Sequence, residues 1–166
     1  MHIIKTERGL VMIDTGYPDM LEQIIESMEA LNLNPKDLCA IIHSHAHIDH
    51  IGCTIQLKEL SGAKTYISIP DNDIVNGKKD LSCAEYVGLE RVPFFDCDVL
   101  VKDGDELDFG DVKIKCLLTP GHTEGVLSFF IKMPDNLIAA MHGGVGVNTI
   151  NKAYLTKVGL PLSLID

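Results

Sequence analysis

The sequence predicts a mixed α/β domain, in which short apolar strands alternate with amphipathic helices. Apolar residues at positions 20, 21, 24, 25, 28 and 31 recur with the 3.6-residue period of a helix. Residues 38–42, by contrast, form a short unbroken apolar run that is typical of a buried strand. With 166 residues, 46% of them hydrophobic, the chain is of single-domain size and can build a core. We therefore expect one domain over residues 1–166.

Periodicity and turn residues together assign the elements along the chain. The predicted strands are residues 3–4, 10–13, 38–42, 64–69, 98–101, 106–109, 112–118, 126–132 and 137–141. A helix is predicted to begin at Asp19, where Glu22 stands at the spacing of a capping box, and to end before Asn34 and Pro35. A second helix is predicted over residues 54–60, and Pro70 begins a further helix or turn.

Two connections between these elements carry signals of their own. Asp103-Gly104, between the strands predicted at 98–101 and 106–109, is a strong signal for a β-hairpin. Residues 76–95 combine many charged residues with three aromatic ones. Two interpretations of this segment stay open: a loop that shapes the mouth of a site, or a surface excursion that packs on the sheet.

Composition and charge restrict the class of partner. The net charge is −10 and no basic run is longer than Lys78-Lys79, which argues against a nucleic-acid surface. Five cysteines without a C-x-x-C pair indicate reduced thiols and therefore a cytoplasmic protein. The first residues lack the apolar run of a signal peptide, and no stretch is long enough to span a membrane. We expect a small-molecule substrate, with neither nucleic acid nor membrane as partner.

A dense group of metal-binding residue types follows the strand predicted at 38–42. Four of the seven histidines lie within residues 43–50. If the chain stays extended there, His45 and His47 point to the same side and can close on one Zn²⁺. Asp49 and His50 follow at once and suit a second ion if the chain turns. The alternative is a solvated histidine-rich loop, but this density of ligands directly after an apolar strand favours a metal site.

The same segment carries a resemblance to a known family. Residues 45–50, H-A-H-I-D-H, resemble the H-x-H-x-D-H signature of the metallo-beta-lactamase superfamily. Three further stretches resemble family elements in the same order: residues 11–16, which end in D-T-G, the hairpin at 102–107, and T-P-G-H-T-E-G at 119–125. The resemblance covers most of the chain. Within the family, residues 44–64 are most similar to the lactamases with two histidines and an aspartate at the second zinc.

The resemblance implies a fold and a set of ligands. The family fold is an αββα sandwich, with two sheets face to face and helices outside. Its downstream histidine corresponds to His122, which with His45 and His47 would give three nitrogen ligands and an open position, the layout of a catalytic zinc. Asp49 and His50 would bind a second ion, and Asp49 would also have a catalytic role in orienting the attacking water.

Two further residues have open roles. Asp14 either orients a ligand histidine or only hydrogen-bonds within its own turn. His142 stands where the family usually has an acidic, Cys or Ser ligand. It either joins the second metal site or lies in the wall of the pocket.

The family pattern also extends beyond this sequence on both sides. It includes strands before the position of Ile4 and a late histidine ligand, and this chain has neither. The resemblance therefore implies an incomplete sandwich, with unpaired strand edges and bare apolar faces. Because such edges invite pairing with another copy, we expect a homo-oligomer.

Together these features predict a metal-dependent hydrolase. Zn²⁺ held by three histidines lowers the pKa of its bound water to about 7, so that hydroxide is available at neutral pH. The resemblance makes a beta-lactam the leading substrate, with a glyoxalase II-like thioester or a lactone as alternatives. The expected cofactor is one or two Zn²⁺, with Fe or Mn as alternatives. The rival interpretation is a non-catalytic remnant of the fold that binds zinc structurally or binds none.

Overall fold

The structure, a computed structural model, describes residues 1–79 and 82–144. Its strands are β1 (His2–Thr6), β2 (Gly9–Ile13), β3 (Leu38–Ile42), β4 (Lys64–Ser68), β5 (Val99–Val101), β6 (Glu106–Asp108), β7 (Lys113–Leu118), β8 (Leu127–Lys132) and β9 (Ile138–His142). Its α-helices are α1 (Leu21–Ala30), α2 (Ile48–Ile51), α3 (Thr54–Ser61) and α4 (Ile69–Val75). Every strand and helix predicted from the sequence within these residues is present, with ends shifted by a few positions at most, whereas the start of a helix predicted at residues 154–166 lies outside the described residues.

The strands form two sheets that divide the chain into an earlier and a later half. The first sheet has the order β1-β2-β3-β4-β5, in which only the β1–β2 pair is antiparallel. The second sheet, β6-β7-β8-β9, is antiparallel throughout. The parallel strands of the first sheet need crossover connections, and helices α1, α3 and α4 lie within these connections.

The prediction of a β-hairpin at Asp103-Gly104 is wrong. Strand β5 pairs with β4 in the first sheet, whereas β6 pairs with β7 in the second. The turn is real, since Gly104 has a φ of 82° and donates its N–H to the carbonyl of Cys116 at 2.8 Å. Asp103 accepts a 2.8 Å bond from the amide of Leu118. These bonds turn the chain towards β7, so the dipeptide moves the chain from one sheet to the other instead of reversing it within one.

The core lies between the two sheets and continues on the helical side of the first sheet. Alternate residues of β2 show the division, because Val11 and Ile13 face the second sheet whereas Leu10 and Met12 face the helices. The buried residues between the sheets are Ile4, Val11, Ile13, Ala40, Ile42, Val101, Phe109, Val112, Ile114, Cys116, Leu127, Phe129 and Ile131. The mixed α/β class and the two-sheet sandwich predicted from the sequence are confirmed, and the described residues supply three layers: helices, first sheet and second sheet.

Helix α1 does not begin with the predicted capping box. Its N-cap residue is Met20, and no side chain caps this end of the helix. The amide of Met20 donates to the carbonyl of Tyr17 at 3.1 Å, which closes a turn over residues 17–20. Asp19 lies inside this turn, one residue before the cap position, so its carboxylate does not serve the first helical turn. Helix α4, in contrast, has Pro70 in its first turn and Ser68 as its cap.

Among the described residues, β9 is the outermost strand on one side of the second sheet, and apolar side chains are exposed around it. Leu137 and Ile138 are 60% and 62% exposed, and Phe130 of the neighbouring strand is 45% exposed. An edge with exposed apolar residues is the kind of surface on which another strand can pair. The expected self-association stays a prediction. Among the described residues no helix is long and apolar enough to cross a membrane.

Candidate metal centre

The first two predicted ligands lie in the loop that follows β3. His45 is buried, with 1% of its surface exposed, and His47 is partly buried. His47 has extended backbone angles, φ −74° and ψ 153°, immediately before α2. Nε2 of His45 and Nδ1 of His47 are 3.1 Å apart. The two ring nitrogens therefore face the same point, as the extended spacing predicts.

His122 reaches the same point from the second sheet, in the loop between β7 and β8. One ring nitrogen from each of His45, His47 and His122 lies within 4.8 Å of the others. The His122 ring meets those of His45 and His47 edge to face, at centroid distances of 4.6 and 4.5 Å. A tetrahedral zinc with bonds of 2.0–2.1 Å places its ligand nitrogens roughly 3.3 Å apart. These three imidazoles fit such an ion with small movements.

The electrostatics of the three imidazoles also suit a metal. Burial, followed by the neighbouring histidines, lowers the pKa of His45 to about 2 and that of His47 to about 4. Burial lowers the pKa of His122 in the same direction. Neutral imidazole is the form that binds a metal ion, so these side chains need not release a proton first.

Asp49 and His50 lie on α2 and contact each other. Nε2 of His50 is 3.3 Å from Oδ2 of Asp49, and this hydrogen bond is the main reason why the pKa of Asp49 falls to about 2. Burial alone would lower the pKa of His50, but its bonds to Asp14 and Asp49 raise it to about 9. The His50 ring lies 3.9 Å from that of His45, centroid to centroid. Both residues thus border the three-histidine cluster, and their role at a second ion stays a prediction.

Asp14 lies beneath the cluster at the end of β2. It is 1% exposed, and its φ of 61° lies in the left-handed region, so the backbone turns here. Oδ1 accepts a 2.7 Å bond from the amide of Ser44, while Oδ2 accepts bonds of 2.8 Å from Ser44 Oγ and from Nδ1 of His50. The contact with His50 is the one that the orienting interpretation requires.

His142 lies at the end of β9, outside the cluster of convergent ring nitrogens. Its Nδ1 is 2.7 Å from Ser128 Oγ, which is itself 2.8 Å from Thr119 Oγ1. The residues that follow approach the site closely, because a Cβ on Gly144 would be only 2.8 Å from Cβ of His122. His142 itself is exposed, and its role, as a ligand of the second ion or in the wall of the pocket, stays a prediction.

Comparison with known proteins agrees with this arrangement. The sequence model of the metallo-beta-lactamase superfamily matches residues 1–140. The chain belongs to the metallo-beta-lactamase superfamily. This superfamily contains metal-dependent hydrolases, and the resemblance drawn from the sequence motifs is confirmed at the level of the family.

Individual members of the superfamily match only part of their own length. An uncharacterized protein from Aquifex aeolicus is 33% identical over 139 residues, which are 82% of this chain and 62% of that protein. A hydroxyacylglutathione hydrolase from Haemophilus influenzae is 29% identical over 124 residues, covering 74% of this chain and 56% of the enzyme. A solved metallo-beta-lactamase from Cronobacter sakazakii superposes with a TM-score of 0.75 at 29% identity, covering 83% of this chain and 53% of that one. The chain thus spans between half and two thirds of these relatives.

Two residues at this superfamily site are missing from the sequence-based prediction. Ser44 contacts Asp14, and its Oγ also lies 3.1 Å from Nδ1 of His45. Asp71, at the start of α4, is fully buried and hydrogen-bonded to both ligand loops. Burial raises the pKa of Asp71, while its hydrogen bonds oppose that rise. For Ser44 the signal was its place between two histidines; for Asp71 it was an acidic residue directly after an apolar strand and a proline.

The segment 76–95 combines both interpretations that the sequence left open. The carbonyl of Ser82 accepts a 2.9 Å bond from the amide of Ile48, and Lys79 forms an ion pair with Glu124 beside His122. These contacts lie at the rim of the site. Phe95, however, packs against the apolar cluster formed by α2, α4 and β4. The described part of the segment therefore covers the helices and borders the metal centre as well.

Proposed function

We propose that the protein is a metal-dependent hydrolase whose ion is held by His45, His47 and His122. The observation that carries the proposal is the convergence of three imidazoles, from two different sheets, within 4.8 Å. A zinc ion bound there would lower the pKa of a coordinated water to about 7. Three protein ligands leave a further position for that water or for the substrate.

Asp49 is the side chain that we propose to orient the attacking water. Its hydrogen bond with His50 keeps its pKa near 2, so the carboxylate is ionised at neutral pH and can only accept hydrogen bonds. In hydrolysis the water oxygen bonds to the substrate's carbonyl carbon, and the bond from that carbon to the leaving nitrogen, oxygen or sulfur breaks. The proton lost by the water passes to the leaving atom. A carboxylate that accepts a bond from the water directs its oxygen towards the carbonyl carbon.

A second ion at Asp49 and His50 would depend strongly on pH. The pKa of His50 is about 9 in the metal-free protein, so its ring must release a proton before it can act as a ligand. Binding of the second ion should therefore tighten as the pH rises from 6 to 9. Zinc titration at both pH values, followed by the number of ions bound per chain, tests this expectation.

The leading substrate that we propose is a beta-lactam, and a thioester is the second candidate. The beta-lactam is supported by the solved metallo-beta-lactamase from Cronobacter sakazakii, whose fold overlaps 83% of this chain. The thioester is supported by the hydroxyacylglutathione hydrolase of similar identity. Both reactions are attacks of water on a carbonyl carbon, so the same residues serve either. Rates with a chromogenic cephalosporin and with a glutathione thioester, measured on one zinc-loaded preparation, separate the two.

The test of the hydrolase proposal uses two ligand variants and one control. His45→Ala and His122→Ala should abolish hydrolysis and reduce the zinc content, while the circular dichroism spectrum stays that of the folded protein. His2→Ala, an exposed histidine on β1, should change neither. If both ligand variants unfold, zinc is structural, which is the rival interpretation. Full activity in both would exclude the proposed metal centre.

A further inference from the structure

The three histidines belong to two loops that are far apart in the chain. His45 and His47 follow β3 of the first sheet, and His122 precedes β8 of the second. A direct backbone hydrogen bond connects the two parts of the chain near the site. The amide of Leu127, at the start of β8, donates to the carbonyl of Ser44, just before His45, at 2.8 Å. A metal site shared between two sheets needs further contacts to fix the distance between the loops.

Asp71 makes these contacts from the first turn of α4. Its Oδ2 accepts a 2.9 Å bond from the amide of Ala46 and a 2.9 Å bond from Thr123 Oγ1. Its Oδ1 accepts a 2.8 Å bond from the amide of Gly125. Ala46 stands between the first two ligand histidines, and Thr123 directly follows the third. One buried carboxylate thus joins the residues adjacent to all three ligands.

Asp71 packs closely against the backbone of the His122 loop at Gly125. A Cβ on Gly125 would collide with Oδ1 of Asp71 and with Oγ of Ser68. Ser68 in turn lies 3.4 Å from the amide of Asp71 and caps α4. The glycine in the T-P-G-H-T-E-G stretch is therefore explained by the close approach of this carboxylate, which is a second observation that connects Asp71 to the His122 loop.

We propose that Asp71 is a positioning residue that holds the two ligand loops at the separation a metal ion requires. This inference rests on the proposed metal centre. All three donors point at the carboxylate, so the position needs a group that accepts at both oxygens. An asparagine side chain would have nearly the same shape, but it accepts at one oxygen and places an N–H₂ group against a donor of one loop. Asp71→Asn therefore loosens one loop while it keeps the volume of the side chain.

The control is Asp98, which accepts hydrogen bonds in a similar way near the start of β4 but is 37% exposed, whereas Asp71 is buried. Oδ2 of Asp98 accepts 2.8 Å bonds from both the amide and the hydroxyl of Thr65, and Lys58 pairs with the same group. Thr65 lies three residues before Ser68, about 10 Å along the strand. Asp98→Asn thus disturbs a comparable network without touching either ligand loop.

The experiment measures zinc affinity and metal-free stability separately. The zinc dissociation constant is obtained by competition with a chromophoric chelator, and stability by urea unfolding after the metal is removed. We expect Asp71→Asn and Gly125→Ala to weaken zinc binding by about 10–100-fold, the usual effect of removing a group that orients metal ligands. Asp98→Asn should lower metal-free stability and change the zinc dissociation constant by less than about twofold. A merely structural Asp71 would behave as Asp98 does.

The outcomes separate this inference from the hydrolase proposal. Wild-type protein that binds zinc, together with an Asp71→Asn variant that binds it equally tightly, overturns the positioning role and leaves the metal centre intact. Wild-type protein that binds no zinc overturns both. If Asp71→Asn does not fold, Thr123→Val decides, because it removes one donor at nearly constant shape. A loss of about tenfold in zinc affinity supports the role, and an unchanged affinity refutes it.

Discussion

His43 should make the protein sensitive to acid even though it is not one of the predicted ligands. It precedes the metal-binding loop and is fully buried. Its Nε2 lies 3.2 Å from Thr54 Oγ1, and the hydroxyl of Thr54 donates to the carbonyl of Ile51 at 2.8 Å. The Thr54 oxygen can therefore accept from Nε2–H, which leaves Nδ1 of His43 as an acceptor without a partner among the described residues.

The size of the effect follows from the pKa of this imidazole. Burial is the main cause that lowers it from 6.5 to about 4. Between these values the imidazole of His43 binds a proton in the unfolded chain but not in the folded protein. Its contribution to stability is therefore highest above pH 6.5 and falls as the pH decreases towards 4. At pH 5, which is about 1.5 units below the unfolded value, the loss amounts to about 2 kcal/mol. At pH 7 it is close to zero.

The assay compares His43→Leu with the wild type, both free of metal, by urea unfolding at pH 7 and pH 5. Other groups also titrate in this range. His50, with its raised pKa, stabilises the folded protein more at pH 5 than at pH 7, whereas His45 and His47, with their lowered pKa values, stabilise it less at pH 5. These contributions are common to both proteins and cancel in the comparison. The loss of stability from pH 7 to pH 5 should be about 2 kcal/mol smaller in His43→Leu. Equal losses would refute the reasoning.

Three further substitutions test the packing by urea unfolding at pH 7. Gly52→Ala should cost about 2–3 kcal/mol, because its Cβ would collide with the backbone of residues 16–18, and a neutral effect would contradict that contact. Asp14→Asn should cost about 2 kcal/mol through its lost charge-assisted bonds, and a loss below half of that would show them to be dispensable. Phe129→Ala, fully buried between the sheets, should cost about 3–5 kcal/mol, whereas Phe130→Ala on the exposed face should cost less than about 1 kcal/mol. Similar losses of stability for the two substitutions would contradict the assignment of Phe129 to the core and of Phe130 to the surface.

The fold could be predicted where local periodicity decides the structure. The strand at residues 38–42 and the helix at 54–60 agree with the structure to within one residue, because each has a clear apolar pattern and a clear end. Gly62, which ends α3, has the left-handed φ of 73° that its sequence position suggests. The pairing of β5 and β6 could not be predicted from the turn between them, since each strand's partner is chosen by packing elsewhere in the chain.

The site shows the same division between local and distant information. The H-A-H spacing placed His45 and His47 on one side of an extended loop, and the resemblance added His122. Asp71 could not be identified in this way. Its three hydrogen-bond donors lie 25, 52 and 54 residues away, in two loops that meet only when the sheets pack. An aspartate directly after an apolar strand and a proline indicates a position at the end of that strand, but it does not indicate which distant groups will bind it.

The division of the chain into two successive sheets has a consequence for how the protein is made. All strands of the first sheet are translated before β6, so His45 and His47 leave the ribosome long before His122 does. A zinc ion captured early would have two of its three ligands in the proposed centre. Tight capture would have to wait until the later sheet docks on the earlier one. Metal retention would then distinguish chains whose halves have assembled correctly from those that have not.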